Sequence, residues 1–84
     1  MPTIAIIDGV AIILWVNDHP PPHIHAKGLG YDAKISIATG DVLIGNLPKA
    51  KLKRIRAWLD ANRDEIAYAW SELRAGRSFE GRIG

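Results

Sequence analysis

At Pro48 the hydrophobic repeat of this 84-residue chain changes from two residues to about 3.6, and that switch restricts the fold more than any other feature. Up to that point short runs rich in β-branched residues alternate between faces. After it, apolar residues recur every three or four positions. Strands first and helices second describe an α+β layering, one antiparallel sheet covered by helices, and not an alternating parallel βα arrangement.

Thr3 to Ile7 and Val10 to Val16 flank Asp8-Gly9, a dipeptide that tolerates the positive φ of a type I′ turn, so they form a hairpin. In the second strand Val10, Ile12, Leu14 and Val16 point one way while Ala11, Ile13 and Trp15 point the other. Both faces are apolar, which places this strand centrally. Pro20, Pro21 and Pro22 exclude helix and favour a stiff extended crossing, from which the chain recovers as a short strand. Gly28 and Gly30 mark a turn; Ala33, Ile35 and Ile37 then alternate with Lys34 and Ser36, and a last strand begins at Val42 and ends at Gly45-Asn46. Five strands in chain order give an antiparallel meander.

In the helical part Leu52, Ile55 and Leu59 form one stripe with Trp58 beside it, and Pro48 suits the first turn, where a missing N–H costs little. Asn62 reads as the N-cap of a second helix, with Glu65 in capping-box position and Asp64 favourable to the dipole. Ile66, Ala69, Trp70 and Leu73 supply its buried stripe. Gly76 stops it. The organisation expected is a single domain over residues 1–76 and a mobile tail over 77–84.

A chain of this length buries only roughly 60–65% of its unfolded surface and supports one small core. Its 48% hydrophobic and 24% charged residues suit a soluble globular domain. Without cysteine there is no disulfide framework, and any metal would rest on His, Asp, Glu and water. The apolar start lacks a basic leader and is broken at Asp8-Gly9, so neither a signal peptide nor a membrane span is expected, and a cytoplasmic location fits. No Gly-rich phosphate loop, nucleophile motif or dinucleotide fingerprint is present.

All three histidines lie in "DHPPPHIHA", residues 18–26. On an extended strand His23 and His25 share a face roughly 6.5–7 Å apart. With His19 across the proline corner they form a candidate ligand set for zinc or a similar divalent metal, Asp18 orienting one imidazole. The same three residues are candidate catalytic groups for metal-free acid–base work on a phosphate. A scaffolding alternative has the imidazoles donating to carbonyls left short of partners by the prolines, with Ile24 anchored in the core.

Lys49, Lys51, Lys53, Arg54 and Arg56 fall on the first helix with no acidic residue among them. Either this is a solvated face, paired with Asp60, Asp64 or Glu65, or it contacts a protein partner or nucleic-acid phosphates. The acidic start of the second helix argues against sequence-specific DNA readout, leaving RNA or an acidic protein. Trp58 and Trp70 read as core anchors. Trp15 faces the other side of the sheet, where a contact surface or a homodimer contact is an open alternative.

"MPTI", "NDHPPPHIHA", "ATGDVLIGNLP" and "AWLDANRDEIAYAW" together resemble a family of small bacterial proteins catalogued as domain of unknown function 4160. Asp18, His19, Pro21, Pro22, His23, His25 and Ala26 carry the most specific part, Ile24 replacing the usual aromatic. The resemblance implies a small α+β protein, often encoded beside another small protein and suggested to act in toxin–antitoxin pairs. The expectation is therefore an interaction protein forming half of such a pair. An RNA-directed hydrolase using the histidine cluster is the alternative, and a metal-binding module without catalysis the third.

Overall fold

The computed structural model describes residues 3–15 and 21–84. Its order is β1 (Thr3–Ile7), β2 (Val10–Ile13), β3 (His23–Gly28), β4 (Tyr31–Ser36), β5 (Val42–Asn46), α1 (Lys49–Ala61) and α2 (Arg63–Arg74). The strands form one antiparallel sheet in the order β1-β2-β3-β4-β5, the meander expected of an α+β chain. Asp8 and Gly9 have φ of 51° and 77°, as a type I′ turn requires, and Ile7 pairs with Val10 across them.

The register assigns each face its residues. Ile12 pairs with Ala26, Ala26 with Ala33, and Ile24 with Ile35, so these side chains share the face that meets the helices. Ile55, Trp58 and Leu59 of α1 and Ile66, Ala69 and Trp70 of α2 close that core. Val10, Ile12 and Leu14 are buried there while Ala11, Ile13 and Trp15 are half-buried, the alternation read from the sequence. The opposite, open face carries the row Ile13, His25, Lys34 and Ile44.

Three details differ from the sequence reading. Pro48 occupies the N-cap of α1 rather than its first turn. The capping box does not form: no side chain caps α2, and Asn62 turns its amide back to donate Nδ2–H to the Trp58 carbonyl at 2.9 Å. Asn62 thus satisfies the end of α1, where carbonyls lack partners, and leaves the start of α2 to Asp64 and Glu65 through the dipole.

The third correction concerns residues 77–84, expected as a mobile tail. Gly76, with φ of 82°, ends α2 in a Schellman motif: its N–H donates to Leu73 O, and that of Arg77 to Glu72 O. The chain then folds back. Ile83 is 1% exposed, its N–H donates to Ile4 O at 2.7 Å, and its own carbonyl accepts the Trp58 Nε1–H at 2.9 Å. Arg82 donates to Thr3 O at 2.6 Å, and Phe79 packs on the core. Ile83 is the buried anchor of this segment, its backbone bonded to β1 and to a buried indole, with Phe79 and Arg82 adding contacts beside it.

Candidate functional site

His23 and His25 stand on one side of β3, as the strand period requires, with ring centroids 5.2 Å apart. Neither is open to solvent: they are 3% and 4% exposed. Trp15 lies over His25 at 4.2 Å between centroids, and Trp70 from α2 meets His23 at 5.9 Å. Four rings therefore run in sequence, Trp15, His25, His23, Trp70, from the open face to the helical layer. His23 Nδ1 lies 2.8 Å from Pro21 O. A carbonyl only accepts, so Nδ1 carries the proton, and the proline corner fixes the tautomer.

This is the contact the scaffolding alternative requires. His19 and Asp18 lie outside the described residues. Among the described residues no group of three His, Cys, Asp or Glu side chains converges in a way that could hold a metal ion.

The five basic residues of α1 separate into three kinds. Lys51 donates to the Asp8 carbonyl at 2.7 Å and stands 3.4 Å from its carboxylate, which also accepts from Arg54 at 2.5 Å. Burial would raise the Asp8 pKa, but the charges and hydrogen bonds of Arg54 and Lys51 outweigh it and hold the carboxyl below its ordinary value. Arg56 donates to Gly40 O at 2.8 Å. Lys49 and Lys53 are exposed and make no hydrogen bond or ion pair among the described residues. The partners are thus the Asp8 turn and the Gly40 turn, in place of Asp60, Asp64 or Glu65. Asp60 instead pairs with Arg63.

Two arrangements escaped the sequence reading. Trp15 covers His25, and Lys34 stands directly opposite His25 across the β3–β4 ladder. The signal was the alternation placing Ile13 and Trp15 on one face, but only the Ile13–His25 register connects that face to the histidines.

The model of the family described as Domain of unknown function (DUF4160) matches residues 9–71. The chain belongs to this family. The DUF4160 match spans β2 to most of α2, including Trp15, His23, His25, Lys34 and the basic face of α1, and stops short of the Ile83 segment. Neither the curated proteins nor the solved structures gave a match. No helix is long and apolar enough to cross a membrane.

Proposed function

We propose that the protein is an interaction protein, half of a cytoplasmic, toxin–antitoxin-like bacterial pair, and that it meets an acidic partner protein through the outer face of α1. The observation that carries this reading is the pair Lys49 and Lys53, exposed one helical turn apart, between Arg54 and Arg56 and without an ion-pair partner among the described residues. Such a face repels like-charged surfaces and steers acidic ones over several ångströms. The exposed alanines Ala50 and Ala57 beside it allow close approach of a partner helix.

RNA is the weaker occupant. A single strand is held by stacking on aromatic platforms as well as by charge, and the α1 indole, Trp58, is buried and bonded to Ile83. The hydrolase alternative has less behind it, since His23 and His25 are shielded by ring contacts from any polymeric phosphate. The test is growth on expression of the chain, alone and with the product of the adjacent gene. Arrest relieved by the neighbour, and binding of the purified neighbour weakened at least about tenfold by Lys49→Glu with Lys53→Glu, is the expected result. Normal growth together with no complex would overturn it.

A further inference from the structure

We propose that β5 is a homodimerisation strand, pairing antiparallel with β5 of a second copy of this chain around a two-fold axis at Ile44. The sheet ends at β1 on one side and at β5 on the other, and the two edges differ. Beside β1 lies the chain's own C-terminal segment, Ile83 N–H donating to Ile4 O and Arg82 to Thr3 O. β5 has no such cover among the described residues. Leu43, Ile44, Gly45 and Asn46 are exposed, Ile44 at 60%, and the strand pairs only with β4. An edge strand offers a row of unpaired N–H and C=O groups to any second strand, and charge or proline on the strand is the usual guard against it. Val42 to Asn46 holds neither.

What fits this edge is a copy of itself. Asp41 directly precedes β5 and Lys49 follows it at the start of α1; both are exposed, and neither has an ion-pair partner among the described residues. Antiparallel pairing sets each Asp41 beside the other copy's Lys49, at both ends of the ladder. Parallel pairing sets like charges side by side and is disfavoured. With the axis at Ile44, that side chain faces its own copy, Leu43 faces Gly45, and Val42 faces Asn46. The exposed isoleucines then cover each other as a cross-strand pair, and Gly45, without a side chain, leaves room for Leu43.

The irregularity between Lys34 and Ile35 bends β5 and limits the ladder to a few residues, so the contact is a reversible one. A self-complementary contact closes at two copies, and the segment beside β1 obstructs growth from the other edge. This pairing stands whether or not α1 binds an acidic partner, because it needs only the chain itself.

The test is sedimentation equilibrium of the purified full chain alone, over a concentration series reaching the submillimolar range. A species of twice the 9.2 kDa chain mass is expected. Ile44→Lys, which sets two like charges across the axis, should leave only monomer. Asp41→Lys and Lys49→Asp, each made alone, should weaken the dimer at least about tenfold through two repulsive contacts per dimer, and the two combined should restore it to within about threefold. Amide exchange over Val42 to Asn46 should slow as concentration rises, while that of Ile6 on the other edge does not. If Ile44→Lys does not fold, the charge exchange decides. Monomer throughout the series, or a dimer indifferent to Ile44→Lys and to both charge reversals, would overturn the proposal; β5 amides protected only by the product of the adjacent gene would overturn it too, and assign the edge to that protein.

Discussion

Replacing Ile83 by Ala measures whether residues 77–84 belong to the folded unit. The side chain is 1% exposed and sits in the same cluster as Ile4, Trp58 and Leu59. The substitution removes the equivalent of three methylene groups, about 2.4 kcal/mol at ~0.8 kcal/mol each. Full-cavity losses for Ile→Ala run to about 5 kcal/mol, but a segment at the surface relaxes into the space, so about 2–3 kcal/mol is expected. For a domain of this size that lowers the melting temperature by roughly 10–20 °C. Thermal unfolding followed by far-UV circular dichroism reads it, with Glu80→Ala, an exposed neighbour, as the control expected to stay within about 0.5 kcal/mol of wild type. A shift for Ile83→Ala no larger than that of the control would refute the docked segment and restore a mobile tail.

Gly45→Ala should destabilise by more than about 1 kcal/mol in urea unfolding, because φ is 82° and the added Cβ would fall 2.1 Å from the Asp32 carbonyl oxygen. His23→Ala should lower stability by roughly 1–3 kcal/mol through the loss of its bond to Pro21 O and its packing on Trp70, and an unchanged denaturation midpoint would count against a scaffolding role. The depressed Asp8 carboxyl stabilises the hairpin–α1 contact above its unfolded pKa and loses that contribution as pH falls through the folded value. The melting-temperature gap between wild type and Arg54→Gln should therefore shrink below about pH 4 and under high salt, and a gap independent of pH would refute the ion pair.

What the sequence displays well is anything enforced by a local period or a single backbone requirement. Val10, Ile12 and Leu14 announce their face by alternation, Ile55, Leu59, Ile66 and Ala69 by helical spacing, and Asp8-Gly9 by the one turn that suits it. His23 and His25 are legible as a same-face pair for the same reason. Their burial is not, because the rings that cover them, Trp15 and Trp70, come from other elements and reach them only through register and helix packing. The Asp8 contacts of Lys51 and Arg54 are hidden likewise, since they span more than forty residues. Asn62 misleads because its side chain has two orphaned helix ends within reach, and the carbonyl of Trp58 captures it. The polar composition of residues 77–84 conceals one isoleucine whose value lies wholly in what it meets.

Every strand of the sheet neighbours the strand before it in the chain, so the meander assembles from short loop closures and has a topology that favours fast folding. The bond from Ile83 N–H to Ile4 O is of another kind: it joins residues 79 positions apart and has nothing to grip until β1 and α1 are in place. Such a contact is expected to form after the rate-limiting barrier and to break early on the way back. Its energy would then reside mainly in the unfolding rate, so Ile83→Ala is expected to shorten the lifetime of the folded molecule while leaving the time it takes to fold nearly untouched.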